Sequence, residues 1–312
     1  MSLKQAIAMF DLLDDPAASG ATVNAYFQRE YGHIGTVTTV DGPKSGSTDF
    51  VKFVIPGSQG RLKGDKAPTL GIIGRLGGIG VRPAALGLVS DADGALTALT
   101  AAACILESKR KGDVLAGDII VCTHICPNAG TKPHDPVPRM DSPVDTLTMN
   151  KVEVCAEMEA ILSIDTTRGN RLLNHRGIAI SPTVKEGYVL RVSNDLLFIL
   201  QNVTGELPYV LPITTLDITP YNNGLYHINS IMQPCVVTTA PVVGVGITSQ
   251  AAVSGCATGA SQEVDVALAA RFTVEVAKAF GSGKAQFYDS EEFGRLIDLY
   301  GSMSRLQILG RD

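Results

Sequence analysis

The alternation of apolar and polar positions divides the chain into short strand-like runs and longer helical segments. Leu70–Ile73 is a short apolar run that leads into a glycine-rich turn. Ala95–Ser108 carries apolar residues at helical spacing, and Asp118–Thr123 contains a second apolar run. A strand, a helix and a strand in this order predict a βαβ unit with two parallel strands.

The same patterns continue through the rest of the chain. Further helices are predicted at Leu3–Leu13, Gly20–Tyr31, Asn150–Glu159, Ser193–Asn202, Ser261–Phe280 (capped by Ser261) and Ser290–Tyr300. Further strands are predicted at Gly35–Val40, Phe50–Ile55, Ala160–Ile164, Gly177–Ser181, Pro208–Leu211, Val236–Val237 and Val242–Ile247. The first two of these strands flank a turn-rich segment, which predicts a hairpin at an antiparallel sheet edge. We therefore expect an α/β fold with three layers, in which helices flank a mixed sheet.

The composition is consistent with a large core of aliphatic side chains. Hydrophobic residues make up 45% of the chain, aromatic residues only 5%, and tryptophan is absent. Such a core has to be built from Ala, Val, Ile and Leu, as in parallel sheets covered by helices. A length of 312 residues would allow one large domain or two smaller ones. We expect a single α/β domain over residues 1–312.

The charge and the hydropathy argue against nucleic acid and membrane as partners, and the cysteines indicate a reducing compartment. A net charge of −5 and a pI near 5.6 offer no electrostatic attraction for nucleic acid. The N-terminus lacks a signal-peptide pattern, and no apolar run reaches the roughly 18 residues that a membrane span needs. The six cysteines are scattered, several of them in apolar runs, which is typical of reduced thiols. We expect a cytoplasmic protein that binds neither nucleic acid nor membrane.

Side chains of metal-ligand type follow three of the predicted strands. Asp91 lies in an acidic loop after the first strand of the βαβ unit, His124 follows the second, and Asp165 ends the strand Ala160–Ile164. Because open α/β sheets bind ligands at the carboxyl ends of their strands, we expect these side chains to share one pocket. They would bind zinc or another divalent metal. The alternatives are structural: helix caps, with Asp93 as the N-cap of the next helix, a salt bridge, and a histidine satisfied at its strand end.

A polar, proline-rich loop over residues 127–145 follows the His124 strand directly. His134, Asp135 and Arg139 give this loop more hydrogen-bonding groups than a connector requires. We expect it to act as a lid whose three polar side chains contact a small-molecule substrate. The alternative is an arm that packs on a neighbouring subunit, and we expect the protein to form a homo-oligomer.

The order of these features resembles that of the co-catalytic zinc exopeptidases of the glutamyl and tetrahedral aminopeptidase type. Thr69–Gly80 resembles their strand that ends in His-x-Asp-Glu-x-Gly, and Asp91–Gly94 resembles their bridging aspartate before a helix. Gly117–Thr123 resembles the strand that leads to their paired glutamates, and Ile161–Asp165 resembles the strand that ends in their next aspartate ligand. The resemblance implies a zinc-exopeptidase-like fold, of the phosphorylase/hydrolase-like type.

The resemblance also implies metal-dependent hydrolysis, with Asp91 and Asp165 as metal ligands. The chain departs from the pattern in five places. Cys126 and Pro127 stand near the position of the paired glutamates, just after His124. Arg75 stands where the first histidine ligand is expected, and Gly77 stands in place of its partner acid. Residues 249–261 contain no histidine for the last ligand position, and the large inserted lid domain is missing.

Two functions are compatible with these residues. The first is a metal-dependent hydrolase of an amide or peptide-like small molecule, in which metal-activated water is the nucleophile. The second is a non-catalytic ligand-binding or regulatory protein, in which Arg75 binds an anionic group or pairs with Asp91 or Asp165. Taken whole, the chain is also similar to a prokaryotic family named for the domain of unknown function 1177, which implies no activity.

Overall fold

The structure is a computed structural model that describes residues 2–43, 46–75, 88–126, 129–133, 139–167, 169–214, 225, 227–251 and 261–307. Strands β1 to β12 are, in chain order, Thr36–Asp41, Ser47–Ile55, Leu70–Gly74, Ile119–Ile125, Thr131–Lys132, Arg139–Met140, Ala160–Thr167, Gly177–Ile180, Val184–Lys185, Tyr188–Val189, Tyr209–Val210 and Val242–Thr248. Helices α1 to α7 are Ser2–Leu13, Gly20–Tyr31, Asp93–Arg110, Thr146–Glu153, Asn194–Thr204, Glu263–Gly281 and Ser290–Tyr300. Short 3-10 helices occupy Arg61–Lys63, Ser90–Ala92, Ser230–Val236 and Ser304–Leu306.

Ten of the described strands form one mixed sheet in the order β1-β2-β4-β3-β7-β12-β8-β11, with the short β9–β10 hairpin beside β12. Strands β4, β3, β7 and β12 are parallel to one another. The hairpin β1–β2 adds an antiparallel edge next to β4, and β8 runs antiparallel to β12. The predicted mixed sheet with an antiparallel hairpin at its edge is therefore confirmed.

Each face of the central strands packs against other elements. Helices α1, α3 and α6 pack on one another and cover one face, where Leu99 of α3 and Phe272 of α6 share a core with Leu162 of β7. On the other face, Ile73 of β3 and Ile231 of the 3-10 helix Ser230–Val236 belong to a second core. Because both faces are covered, the central strands consist of continuous apolar runs instead of alternating ones.

Helix ends follow the capping residues where the sequence supplies clear ones. Helix α2 begins after Ser19, which forms a capping box with Thr22, and it ends at Gly32 with a positive φ of 63°. Helix α7 begins after Asp289, whose side chain accepts from two backbone N–H groups of the first turn. Both helices have the predicted bounds. None of the helices in the described ranges is long and apolar enough to cross a membrane.

The helix predicted at Asn150–Glu159 is displaced towards the N-terminus. Helix α4 begins early because the Asp145 side chain accepts a hydrogen bond from Thr148 N at 2.9 Å and so caps it. It ends at Glu153 because Val154 adopts an extended backbone, with φ −82° and ψ 127°. The shorter helix leaves Glu153 in its last turn, where its side chain reaches the sheet.

Three other local predictions are wrong. Val236–Val237 is not a strand, because Val236 ends a 3-10 helix in which Pro234 has no N–H for a ladder. Ser261 does not cap α6, since its hydroxyl donates to Asp93 Oδ1 at 2.5 Å. Asp93 in turn is the first residue of α3 and not its N-cap. The loop at 127–145 also contains the short antiparallel pair β5–β6.

Candidate functional site

Neighbouring strand ends bring three of the predicted site residues into one row. Gly74 of β3 pairs with Thr123 of β4 and with Ile164 of β7. His124 and Asp165 directly follow these two residues. Arg75 follows Gly74, and its N–H continues the ladder to β7 with an N···O distance of 2.7 Å. Neighbouring strands lie about 4.8 Å apart, so the Cα atoms of His124 and Asp165 are about 10 Å apart with Arg75 between them. In-register residues of parallel strands project to the same face, so the side chains of Arg75, His124 and Asp165 leave the backbone on the same side of the sheet.

His124 and Asp165 lie within their strands and not at or beyond their ends. Strand β4 continues to Ile125, and β7 continues to Thr167 because its pairing with β12 extends to Thr248. The predicted strand ends were therefore too early. The row nevertheless lies near the carboxyl edge of the parallel strands, where open α/β sheets bind their ligands.

Arg75, Glu153 and His124 form a buried chain of hydrogen bonds on this face. Arg75 Nη1 donates to Glu153 Oε2, and His124 Nδ1 lies 2.7 Å from Glu153 Oε1. The side chains of Glu153 and His124 are each 1% exposed. Burial alone would raise the pKa of Glu153, but the Arg75 guanidinium and the His124 imidazole outweigh it and hold that pKa below its usual value. Glu153 is therefore a carboxylate that accepts from both neighbours.

Residues of α4 and of the 3-10 helix Ser230–Val236 hold Arg75 in one orientation. Arg75 Nη2 donates to Gln233 Oε1, so two of its nitrogens have fixed partners. Asn150 lies one turn before Glu153, and its Nδ2 donates to the backbone oxygen of Gln233 at 3.2 Å. The two elements are thereby joined to each other and to the end of β3.

The second ring nitrogen of His124 has no hydrogen-bond partner among the described residues. His124 Nε2 is buried, and the Phe50 ring packs against the imidazole with 5.5 Å between ring centroids. A carboxylate can only accept, so Nδ1 carries the proton that it donates to Glu153. In the neutral imidazole, Nε2 then holds the free lone pair. A buried polar atom without a partner is rare, and this one is suited to accept a proton or to bind a metal ion.

Within the described part of the chain, the ion-pair partner of Arg75 is Glu153, whereas Asp91 or Asp165 was predicted. Arg75 projects to the face of Ile73, which α4 and the 3-10 helix Ser230–Val236 cover. Asp91 instead precedes α3 on the opposite side of the sheet. The buried guanidinium does have a carboxylate partner, but this partner is a glutamate that the sequence places within a helix and marks in no other way.

Asp91 lies in the 3-10 turn Ser90–Ala92 that leads into α3, close to the strand ends. Two residues into α3, a Cβ at Gly94 would lie 2.4 Å from Arg75 O and 2.5 Å from Ile164 O. Only glycine allows this approach, so the start of α3 packs directly against the backbone of Arg75 and of β7. Asp91 is thus near the edge of the sheet that also carries His124.

Asp165 is half-buried, and its Oδ1 accepts from Thr166 N at 2.7 Å. Within the described ranges, no three His, Cys, Asp or Glu side chains come close enough together to hold a metal ion. The metal site formed by Asp91, His124 and Asp165 therefore stays a prediction.

The loop at 127–145 is described only in part. His134 and Asp135 lie outside the described residues, and so does the whole stretch 134–138. For Arg139 the structure describes the backbone, which pairs with Lys132 in the β5–β6 hairpin. The predicted contacts of these three residues with a substrate remain predictions.

Comparison with protein families gives one match, to a family described as a protein of unknown function (DUF1177), over residues 38–310. The chain belongs to the DUF1177 family. The match covers most of the described strands and all of the row at the sheet edge. No curated protein matches the chain.

Solved structures with a similar fold include a glutaminyl cyclase and two aminopeptidases. The glutaminyl cyclase of an Acidobacteriales bacterium is 13% identical with a TM-score of 0.51, and the match covers 89% of this chain and 95% of that chain. The leucyl aminopeptidase of Leishmania major, in complex with actinonin, is 12% identical with a TM-score of 0.50, with 88% and 60% covered. A mutant of the tomato leucine aminopeptidase is 12% identical with a TM-score of 0.47, with 87% and 61% covered. The DUF1177 chain thus spans about three fifths of the two aminopeptidases, and the likeness shows the fold alone. The predicted zinc-exopeptidase-like fold is confirmed.

Proposed function

We propose that this protein is a hydrolase that cleaves an amide bond of a small peptide-like molecule, with His124 as its general base. The observation that carries the proposal is the buried His124–Glu153 pair. A carboxylate holds Nδ1, and Nε2 has no partner among the described residues. Fold relatives that are named as aminopeptidases support a peptide-like substrate.

The reaction follows from the two nitrogens of His124. Nε2 takes a proton from a water molecule, and the water oxygen attacks the carbonyl carbon of the amide. The protonated ring then returns that proton to the leaving amine nitrogen. Glu153 fixes the orientation of the ring and stabilises the imidazolium ion that forms during the reaction. General acid–base catalysis of this kind contributes about 10²- to 10⁴-fold to a rate.

Arg75 acts in this proposal by keeping Glu153 ionised. Without a cation, a carboxylate as deeply buried as Glu153 would be protonated and could not hold the imidazolium. The guanidinium lowers the pKa of Glu153, and Gln233 prevents Arg75 from turning away. Arg75 is therefore a positioning residue and not a group that touches the substrate.

The described residues do not fit the pair of metal ions that the resemblance implies. Arg75 stands where the first histidine ligand is expected, and its guanidinium, which cannot bind a metal ion, is held in an ion pair with Glu153. A single zinc or other divalent ion remains the alternative use of His124 Nε2, with Asp91 and Asp165 as the predicted further ligands. Because one nitrogen cannot serve both roles, metal content distinguishes the two assignments.

Substrate entry requires a movement of the groups that cover His124, since the side chain is 1% exposed. The loop at 127–145 follows β4 directly, and we propose that it covers the site. His134, Asp135 and Arg139 would contact the substrate from this loop. A closed site of this kind excludes water from the reacting groups and strengthens the electrostatic interactions among them.

The substitution His124→Asn tests the proposal. The asparagine amide can still donate to Glu153, as Nδ1 does, but it lacks a nitrogen at the position of Nε2. Hydrolysis of a panel of dipeptides and aminoacyl amides, followed by release of free amine, should fall about 10²-fold or more in the variant. A matched control is His175→Asn, because His175 stacks on Tyr209 away from the cluster.

Equal rates for His124→Asn and the unchanged protein would refute the assignment of His124 as the base. If the unchanged protein hydrolyses none of these compounds, a thermal-shift screen with the same panel tests the competing function. Stabilisation by an uncleaved compound would identify a binding protein on this fold. In that case Arg75 is not a free anion site, since Glu153 and Gln233 already hold it.

A further inference from the structure

Two cysteines and a lysine come together on the face of the sheet that carries His124. Cys122 precedes His124 by two residues in β4, so both side chains project to the same face. Lys52 of β2 lies directly opposite Cys122, where the Cβ atoms of an antiparallel pair are about 4.5–5.5 Å apart. Cys155 follows α4, and its Sγ lies 3.8 Å from the backbone oxygen of Glu153. The group lies beside the His124–Glu153 pair but is not part of it.

The environment of Cys155 favours its thiolate. Cys155 packs against the core that contains Cys122. Its interactions with Cys122 and with the Lys52 ammonium group lower the pKa of Cys155 to about 6, although burial opposes the shift. Burial would lower the pKa of Lys52, but its interaction with Cys155 outweighs burial and raises that pKa. Cys155 is half-buried, whereas Cys122 is fully buried behind it. Cys155 is therefore the thiol that a small reagent can reach first.

Two other cysteines of the chain lack this environment. Burial raises the pKa of Cys104 to about 11 and that of Cys235 to about 12. Buried thiols of this kind are protonated at neutral pH and react slowly. They serve as internal controls for the reactivity of Cys155.

We propose that Cys155 and Cys122 form a dithiol site that reacts with hydroperoxides and closes to a disulfide. Cys155 is the attacking thiolate, and Cys122 is the resolving thiol. Lys52 stabilises the thiolate before the reaction. The proposal rests on the packing of Cys155 against the core around Cys122 and on the cross-strand pairing of Lys52 with Cys122. It does not depend on the hydrolase function.

The reaction proceeds in two balanced steps. The Cys155 sulfur attacks the terminal oxygen of the hydroperoxide, so an S–O bond forms and the O–O bond breaks. The alkoxide leaves and takes a proton from solvent, which gives an alcohol and a sulfenic acid on Cys155. The Cys122 sulfur then attacks the Cys155 sulfur. An S–S bond forms, the S–O bond breaks, and the hydroxide leaves as water with the Cys122 proton. The two sulfurs lose two electrons, and the peroxide gains them.

The test uses the full chain, reduced and then freed of reductant. After treatment with hydrogen peroxide, thiol titration should show the loss of two thiols per chain. A non-reducing tryptic digest should then contain a cross-link between the peptides Gly112–Arg139 and Val152–Arg168. The first peptide contains both Cys122 and Cys126, so fragmentation has to place the bond. This measurement needs no variant, and a map without the Cys122–Cys155 bond overturns the disulfide.

Variants separate the roles of the two sulfurs. Cys155→Ser should abolish the rapid thiol loss, whereas Cys235→Ser should leave it unchanged. In Cys122→Ala, the sulfenic acid on Cys155 should persist and be trapped by dimedone. Lys52→Met should slow the reaction of Cys155, and Lys52→Arg should largely restore it. Cys155 should react about tenfold or more faster than Cys235, because burial raises the pKa of the Cys235 thiol whereas the pKa of Cys155 is lowered. Equal rates for the two cysteines would refute the proposal.

Discussion

Glu153 accepts hydrogen bonds from two side chains that begin on neighbouring strands, and it is the residue on which the site depends. His124 could be singled out from sequence because it follows a predicted strand, and Arg75 because it stands at the position of a histidine ligand in the resembled family. Glu153 could not, because a glutamate within a predicted helix gives no sign of burial. Its contact with Arg75 spans 78 residues of sequence, and only the assembled fold brings the two together. A buried guanidinium requires a carboxylate, but this rule does not say which one.

The substitution Glu153→Gln should destabilise the protein strongly. It leaves the buried Arg75 guanidinium without a counter-charge, and removing one partner of a buried ion pair costs about 3–5 kcal/mol. Urea unfolding followed by circular dichroism gives this value. The control is Glu275→Gln, since Glu275 pairs with Lys278 on the surface, where such pairs contribute about 0–1 kcal/mol. If Glu153→Gln lowered the free energy of unfolding no more than the control does, the Arg75–Glu153–His124 cluster would not depend on the negative charge of Glu153.

The pH dependence of this stabilisation has a definite sign. The pKa of Glu153 is lowered in the folded protein, with Arg75 as the largest cause acting in that direction, against burial. A lowered pKa contributes stability above the unfolded value of about 4.3 and loses it as the pH falls through the folded value. The difference in unfolding free energy between the unchanged protein and Glu153→Gln should therefore be constant near neutral pH. It should shrink below about pH 4.3. A difference that grows on acidification would contradict the ionised state of Glu153.

The thiol of Cys155 leads to a further prediction at the level of single residues. Its rate of alkylation by iodoacetamide should rise with pH around a midpoint near 6, because interactions with Cys122 and Lys52 lower the pKa of Cys155 while burial and Glu157 oppose the shift. Peptide mass spectrometry after timed alkylation measures each cysteine separately. Cys235, with a pKa raised to about 12 by burial, should remain nearly unmodified over the same range. A midpoint for Cys155 near that of an ordinary thiol would contradict the contact with Lys52.

At the level of elements, the chain determines some boundaries locally and others only through packing. Helix α2 has a capping box at its start and Gly32 at its end, so its bounds could be predicted. Helix α4 has one clear signal, the Asp145 cap, and its end at Glu153 is set where the backbone turns towards the sheet. The start of α3 has no side-chain cap and is fixed by its close approach to Arg75 and β7. Packing of this kind leaves little trace in local sequence.

The close approach of α3 can be tested with two glycine substitutions in helices. Ala is favoured over Gly in a helix interior by about 1 kcal/mol. Gly294→Ala in α7 should therefore stabilise the protein, because a Cβ there meets nothing within 4 Å. Gly94→Ala should instead destabilise it by about 1–3 kcal/mol, because the added carbon overlaps backbone atoms that cannot move aside. Urea unfolding of both variants measures whether each change raises or lowers the free energy of unfolding. If Gly94→Ala raised it, α3 would have to lie further from β3 and β7.

At the scale of the whole molecule, the order of the strands brings residues that are far apart in the sequence together in one site. Strand β3 lies between β4 and β7, and this order places Arg75 between His124 and Asp165. The sequence indicated that ligand-type side chains follow several strands, and the carboxyl edge was the expected meeting place. Asp91 lies in the turn before α3, and the sequence did not show on which side of the sheet that turn lies. Arg75 was expected to pair with Asp91 or Asp165 because it stands at the position of a metal-binding histidine in the resembled family, but its ion pair is with Glu153.

The overall charge arrangement leads to a last prediction, on metal content. Arg75 lies at the centre of the row, and its ion pair takes up the Glu153 carboxylate that a divalent cation beside His124 would need as a ligand. Protein that is purified without chelator, incubated with zinc chloride and dialysed should therefore hold well below one equivalent of zinc by mass spectrometry. His124→Asn should give the same value. One equivalent of zinc that is lost in His124→Asn would make His124 a metal ligand, as the resemblance to the zinc exopeptidases first implied. The role of Nε2 as a base would then be wrong.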